Sequence, residues 1–196
     1  MNRKISTTDL CYSAIFICLM AIGANITFWF PFLAIPIGGV TVPLSFQTFF
    51  SILAGLLLGK RVGTLAMIGY IMIGSIGVPV FAQMQAGPFV LFSYTGGFLI
   101  SFIFVAFVTG YLVERSQVKT TKKSMIISLI GVLVNYIIGV TYMYLAMNTW
   151  LGLSISYHSA WLSMAPFFLK DIVLALIAAV VLVKMVNLIP RRVSGL

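Results

Sequence analysis

The sequence predicts an all-α membrane protein with six transmembrane helices and both termini on the cytoplasmic side. Three observations lead to this fold class. Of the 196 residues, 61% are hydrophobic and only 8% are charged, whereas about 25% of the residues of a soluble domain are charged. The apolar residues form six segments separated by turn-forming or charged residues. The charged residues are also distributed unevenly between alternate connections.

The six apolar segments account for nearly the whole chain. A helix needs roughly 20 apolar residues to cross a hydrocarbon core of about 30 Å. We therefore interpret residues 1–196 as a single integral membrane domain whose segments two and three, short and rich in glycine, are tilted or discontinuous helices. The predicted spans are 8–30, 44–59, 62–77, 94–113, 124–147 and 163–188.

The basic residues predict the orientation. The connections over residues 31–43, 78–93 and 148–162 contain no Lys, Arg, Asp or Glu. With six spans, eleven of the twelve basic residues lie on the opposite side: Arg3, Lys4, Lys60, Arg61, Arg115, Lys119, Lys122, Lys123, Lys184, Arg191 and Arg192. The positive-inside rule places that side in the cytoplasm and the three uncharged connections outside. The net charge of +9 thus indicates cytoplasmic loops at a lipid bilayer, and no nucleic-acid partner is expected.

The adjacent pair Lys170 and Asp171 does not fit this charge map. It lies fourteen residues before Lys184, which corresponds to roughly 21 Å along a helix, and so in the outer part of the bilayer. A charge in the hydrocarbon core costs at least about 2.5–3.5 kcal/mol. Adjacent helical side chains point about 100° apart, so a good mutual ion pair is not expected. The pair therefore suits a small ligand with both a carboxylate and N–H groups, although a helix-anchoring ion pair or snorkelling to the outer surface are open alternatives.

Other polar residues in apolar surroundings are candidates to join this site. Gln47 follows a proline-containing turn, and Thr95 with Gly96 begins a helix whose free N–H groups suit an anion. Asn135 and Tyr136 lie in the middle of the fifth segment. For each residue alone, an interhelical hydrogen bond is the structural alternative.

Several kinds of chemistry have no basis in the sequence. No GxxxxGK[ST] or HExxH motif is present, and the three acidic residues are scattered. His158 is the single histidine, in a predicted loop, so neither a metal site nor a catalytic residue is predicted. A binding subunit that takes its energy from elsewhere fits best, with no cofactor of its own.

The first segment carries small residues at helical spacing, namely Ala14, Cys18 and Ala21. Such residues allow helices to approach closely. Cys11 and Cys18 are about two helical turns apart, which excludes a disulfide between them, and both are expected to be buried packing residues. Packing within the bundle and docking of a partner membrane subunit remain alternative roles for this face.

Four sequence stretches together resemble one family. They are "VPLSFQTFFSILAGLLLGKRVG" (Val42 to Gly63), "GVPVFA" (Gly77 to Ala82), "SYTGGFLISF" (Ser93 to Phe102) and "APFFLKD" (Ala165 to Asp171). Their order and spacing resemble the biotin-specific S component of energy-coupling-factor (ECF) vitamin transporters, over nearly the whole chain.

The resemblance implies a subunit that captures biotin from outside, near the outer surface. Its partners would be a transmembrane T component and two ABC-type ATPases, which supply the energy. The small residues of the family's first helix match Ala14 and Cys18, where cysteine replaces the usual alanine, and this implies that the face docks the T component.

Two departures from the family pattern concern the site. Family members have Gly-Asp followed three residues later by Lys, whereas this chain has Lys170, Asp171 and then Leu174. Because positions 170 and 174 are one helical turn apart on one face, Lys170 is expected to supply the cation. The family's Gly-Pro before Thr-Gly-Gly is Ser93-Tyr94 here. An S component for thiamin or riboflavin, a small intramembrane enzyme, and a channel or structural subunit remain alternatives.

Overall fold

The computed structural model describes residues 5–33, 35–37, 40–42, 45–116 and 120–188. Its elements in chain order are α1 (Thr7–Ala24), α2 (Ile26–Trp29), β1 (Ile35–Ile37), β2 (Val40–Val42), α3 (Gln47–Ser75), α4 (Gly96–Ser116), α5 (Thr121–Thr149) and α6 (Tyr157–Leu188). Short 3₁₀ turns occur at Pro31–Leu33, Ala82–Met84 and Pro88–Phe92. Within the described part, α1, α3, α4, α5 and α6 are long and apolar enough to cross a membrane. The all-α class is confirmed, with one small antiparallel hairpin formed by β1 and β2.

Helix α1 is shorter than the predicted first span, 8–30. It begins with a capping box, in which the Ser6 hydroxyl accepts from the Asp9 N–H at 3.1 Å and Asp9 Oδ2 accepts from the Ser6 N–H at 2.8 Å. It ends at Ala24 because Asn25 leaves the helical conformation and bonds to other groups: its Nδ2 donates to the Ala21 carbonyl at 3.0 Å. The chain continues as the single turn α2.

The predicted second and third spans form one element, α3, which is sharply bent. Gly59 has φ of 75° and ψ of 175°, a conformation that glycine adopts at little cost. Gln47 Nε2 lies 3.0 Å from Tyr70 Oη although 23 residues separate them; a straight helix would hold them roughly 35 Å apart. The arms 47–58 and 60–75 are therefore antiparallel. The predicted interruption at Lys60 is confirmed within one residue, and six predicted segments appear as five long helices, one of them folded back.

Glycines hold this bend against α4. A Cβ added to Gly110 would clash with the Lys60 backbone nitrogen, and one added to Gly55 would lie 2.5 Å from the Ala106 carbonyl oxygen. The Glu114 carboxylate accepts from the Lys60 N–H at 2.9 Å and pairs with Lys60 Nζ at 3.3 Å. Glu114 thus caps the second arm of α3, since the first N–H groups of a helix lack internal partners.

The later helices extend beyond the predicted spans. Helix α6 begins at Tyr157 rather than at residue 163, and the Ser156 hydroxyl accepts from the Ser159 N–H at 3.1 Å at its start. His158 consequently lies in the first turn of α6 and not in a loop. Pro166 is inside the helix, where it removes one backbone donor, a loss that membrane helices tolerate.

The bundle has two chemically different ends. We call the end with the connections after α1, α3 and α5 the loop end; there the Phe46 N–H donates to the Gly23 carbonyl at 2.9 Å and Trp150 Nε1 donates to the Phe92 carbonyl at 2.7 Å. The charged end holds Lys60 and Glu114. Other residues used for the orientation lie outside the described residues: Arg3, Lys4, Lys119, Arg191 and Arg192.

Candidate functional site

Asp171 is a buried carboxylate near the loop end. It lies on α6 with 3% of its surface exposed. Its Oδ2 accepts hydrogen bonds from Thr48 Oγ1 and from the Tyr136 hydroxyl, each at 2.9 Å. Thr48 is in the first turn of α3, so the carboxylate joins the start of α3 to the middle of α5 and to α6. The contact with Thr48 puts Asp171 beside the start of α3, and its depth in a bilayer stays a prediction.

Lys170 forms an ion pair with Asp171, contrary to the expectation from helical geometry. Lys170 Nζ lies 2.8 Å from Asp171 Oδ1 and donates to the Ser45 carbonyl at 2.7 Å. The expectation was wrong because the long lysine side chain spans the angle between adjacent positions. Asp171 Oδ1 is buried, and among the described residues no donor is aligned for a hydrogen bond to it; its polar contact is this ion pair. The site therefore keeps acceptor capacity beside a cation.

Asn135 extends the polar network across three helices. Its Nδ2 donates to Thr48 Oγ1 at 3.3 Å, and its Oδ1 accepts from Ser101 Oγ at 2.5 Å. Asn135 is 1% exposed and Ser101 is fully buried. Since Thr48 Oγ1 gives its proton to Asp171, its lone pairs can accept from the Asn135 amide. The network therefore runs in one direction, from Ser101 and Asn135 towards the carboxylate.

Aromatic rings surround the phenol of Tyr136. Its ring packs edge-on against Phe168 with centroids 4.9 Å apart, and against Phe98 at 5.7 Å. Phe168 is half-buried one turn before Asp171 on α6. The site thus combines a hydrogen-bonding side with an aromatic side.

The remaining predicted site residues have other contacts. Gln47 bonds through its side chain to Tyr70 and Ser45, one position before Thr48. Thr95 Oγ1 lies 2.9 Å from Ser93 Oγ, and the Gly96 N–H donates to the Ser93 carbonyl at 3.0 Å. The Gly96 N–H is therefore already used, contrary to the expectation of a free donor for an anion.

The small-residue face of α1 points away from the bundle. Ala14 and Cys18 are exposed and Ala21 is half-buried. Cys11 is exposed as well. The interpretation of the two cysteines as buried packing residues was wrong, because their side of α1 has no neighbouring helix within the described part of the chain.

Sequence reasoning missed Thr48 and Ser101, which connect the site. The signal for Thr48 was present: Ser45, Gln47, Thr48 and Ser51 place four polar side chains in seven residues at the start of an apolar segment. Ser101 follows Gly97 by one turn in an equally apolar run. Neither position by itself indicates its partner, since a lone hydroxyl in a membrane helix often bonds to its own backbone.

The candidate ligands for a metal ion are dispersed in the described part of the chain. No group of three His, Cys, Asp or Glu side chains that could hold a metal ion occurs among the described residues. His158 is exposed and lies thirteen residues before Asp171 on the same helix, or roughly 20 Å.

Comparison with known proteins shows the family. The model of the BioY family matches residues 1–191. The "Putative biotin transporter BioYB" of Bacillus subtilis (strain 168) is 43% identical over 90% of this chain and 86% of its own length. The "Probable biotin transporter BioY" of Lysinibacillus sphaericus is 37% identical over 83% of this chain and 78% of its own. This chain belongs to the BioY family.

A solved structure agrees with the fold of this BioY-family chain. The crystal structure at 2.1 Å of the S-component for biotin from an ECF-type ABC transporter superposes with a TM-score of 0.78. The superposition covers 95% of each chain at 22% sequence identity, and it shows a shared fold. With its family and its apolar helices, this chain is a multi-pass integral protein of the cell membrane.

Thr48 provides a test of the network in this BioY protein. Thr48→Val retains the shape of the side chain but leaves Asn135 Nδ2 and Asp171 Oδ2 each without one partner. A buried polar group left unpaired costs about 1–3 kcal/mol, so we expect a lower midpoint of thermal unfolding in detergent. Thr149→Val is the control, because Thr149 is exposed and its hydroxyl donates to the Leu145 carbonyl of its own helix. Equal midpoints for both variants would contradict the network's role.

Proposed function

We propose that this chain is the S component of an ECF-type importer and that it binds biotin from the outside of the cell. The curated relatives carry the name biotin transporter, and the solved structure of the same fold is an S-component for biotin. The observation that carries the proposal is the buried carboxylate of Asp171, held in a network of hydrogen-bond donors beside the ammonium of Lys170.

The chemistry of the site matches the two ends of biotin. The ureido group of biotin has two N–H donors, and Asp171 Oδ1 is a buried acceptor with no aligned donor among the described residues. Lys170 would contact either the ureido oxygen or the valerate carboxylate. Asn135 would add a hydrogen bond, and the rings of Tyr136 and Phe168 would cover the apolar thiophane ring. Gln47, Thr95 and Gly96 stay proposed site residues from the sequence, and their described hydrogen bonds go to Ser45, Tyr70 and Ser93.

Asp171→Asn tests the role of the carboxylate. The amide removes the negative charge and one acceptor, so we expect biotin affinity to fall at least about tenfold, which corresponds to about 1.4 kcal/mol. Isothermal titration calorimetry of the protein in detergent measures this loss. Asp9→Asn, which alters a carboxylate in the capping box of α1, should bind biotin normally.

Titrations with other vitamins separate biotin from its alternatives. Wild-type protein that is folded but gives no heat with biotin would contradict the proposal. Binding of thiamin or riboflavin in place of biotin would retain the S-component function and replace the substrate. The names of the relatives favour transport over catalysis, and the exposed position of His158, remote from Asp171 along α6, gives no support to an intramembrane enzyme.

The proposed orientation places the loop end outside and both termini in the cytoplasm. It is supported by the charges, because Lys60 and Arg115 lie at the opposite end of the bundle from the uncharged connections. Captured biotin would then enter from the loop end and reach Asp171 between α3, α5 and α6.

Cysteine labelling tests this orientation. In a Cys11→Ser, Cys18→Ser background, Ser154→Cys places a thiol at the loop end and Ser116→Cys places one at the charged end, and both serines are exposed. A membrane-impermeant maleimide should label only position 154 in intact cells and should label position 116 after permeabilisation. The reverse pattern would invert the proposed orientation.

Import by this chain would require a T component and two ABC-type ATPases. The sequence has no P-loop of its own, and we propose that Ala14, Cys18 and Ala21 dock the T component. Small side chains allow two helices to approach closely, and the exposure of Ala14 and Cys18 leaves that approach open.

Bulky substitution tests the docking face. Cys18→Trp should block close approach, so that the T component and the ATPases no longer co-purify with the tagged protein, while biotin binding persists. Ile137→Trp is the control, because Ile137 is an exposed residue of α5 outside the proposed face. Co-purification that is unchanged by Cys18→Trp would rule out this face.

A further inference from the structure

Lys170, the cation of the site, is held by the backbone carbonyl of Ser45, and the position of Ser45 depends on a third residue. Lys170 Nζ donates to the Ser45 carbonyl at 2.7 Å. Ser45 in turn is held twice by Gln47: its hydroxyl donates to Gln47 Oε1 at 2.9 Å and accepts from the Gln47 N–H at 3.2 Å. The position of the carbonyl that holds Lys170 therefore depends on Gln47.

The orientation of the Gln47 amide depends on Tyr70. The Tyr70 hydroxyl donates its single proton to the Val80 carbonyl at 2.9 Å, an acceptor that cannot donate. Its lone pairs must then face a donor, and Gln47 Nε2 supplies one at 3.0 Å. Because the amide nitrogen faces Tyr70, the amide oxygen faces Ser45. Tyr70 is fully buried and Gln47 is 7% exposed, so water does not readily replace these bonds.

The far end of this chain of hydrogen bonds is itself anchored. The Met84 N–H donates to Asn25 Oδ1 at 2.7 Å, and Asn25 Nδ2 lies 3.5 Å from the Val80 carbonyl oxygen. Gln83 and Met84 have φ of 58° and 57°, a left-handed conformation that non-glycine residues rarely adopt unless the surroundings hold them there. These contacts hold the connection over residues 78–85 in place, and with it the Val80 carbonyl that accepts from Tyr70.

We propose that Gln47 and Tyr70 are positioning residues that act on ligand binding through Lys170. Tyr70 orients the Gln47 amide, Gln47 holds Ser45, and the Ser45 carbonyl holds the ammonium beside Asp171. This inference rests on the proposed biotin binding. It assigns Gln47 an indirect role. It adds Tyr70 as a determinant of affinity that acts through Gln47, Ser45 and Lys170.

A double-mutant cycle tests whether the effect passes through Lys170. Tyr70→Phe retains the ring that packs edge-on against Phe81 and removes only the hydroxyl. We expect it to weaken biotin binding about fivefold in the wild-type background, because it releases one hydrogen-bonded partner of the chain. In a Lys170→Met background the same substitution should change affinity by less than about twofold, since residues of one network are not additive. Isothermal titration calorimetry on the wild type, the two single variants and the double variant gives the coupling free energy between Tyr70 and Lys170.

Matched variants make the result decisive. Tyr142→Phe removes another phenol that donates to a carbonyl at the loop end, Leu91 O at 2.7 Å, and should leave affinity unchanged. Gln47→Met breaks the chain one step closer to the site and should show the same dependence on Lys170. Equal losses in both backgrounds, or no loss in the wild-type background, would overturn the positioning role alone. Absence of biotin binding by the wild-type protein would overturn the proposed function and this inference with it.

Discussion

The need to pair a buried carboxylate organises the centre of this protein. Asp171 lies in a helix surrounded by apolar side chains, where an unpaired charge is strongly unfavourable. Each of its partners comes from a defined place: Thr48 from the first turn of α3, Tyr136 from the middle of α5, and Lys170 from its own helix. Three helices are thus held in register by one side chain, and the site lies where they meet.

The bend of α3 brings the polar residues of the loop end together. Gly59 reverses the chain, so that Gln47 and Tyr70 lie side by side and the first arm presents Thr48 to α5 and α6. Gly110 and Glu114 of α4 hold the bend from the opposite end of the bundle. A short apolar segment that could not span a bilayer alone gains its stability from this packing. Gly55 and Gly110 allow close contact between α3 and α4, and Gly59 allows the positive φ of the bend.

The sequence allowed the class of the fold and part of the site to be predicted. Composition and the apolar segments indicated a helical membrane protein, because backbone groups in lipid must be paired and a long apolar helix pairs them within itself. Asp171 and Lys170 were conspicuous as charges in an apolar run, and Asn135 and Tyr136 as their polar neighbours. Thr48 and Ser101 were not found, because a hydroxyl in such a run bonds equally well to its own backbone. The expected free donor at Gly96 failed since its N–H closes a turn with Ser93.

The sequence by itself determined which residues cannot face lipid. The cost of a charge in a membrane helix depends on the residue type and on its depth, and both can be read from the sequence. It also determined the interruption of the apolar run near Lys60, because a charged residue is costly in the hydrocarbon core. Only the tertiary structure decided which polar groups meet, because a contact such as that of Thr48 with Asp171 joins residues 123 positions apart and depends on the bend at Gly59. The tertiary structure also decided that Cys18 is exposed and that the Lys170 ammonium pairs with the adjacent Asp171 carboxylate. It decided as well that the Gln47 amide bonds to Tyr70 rather than to Asp171.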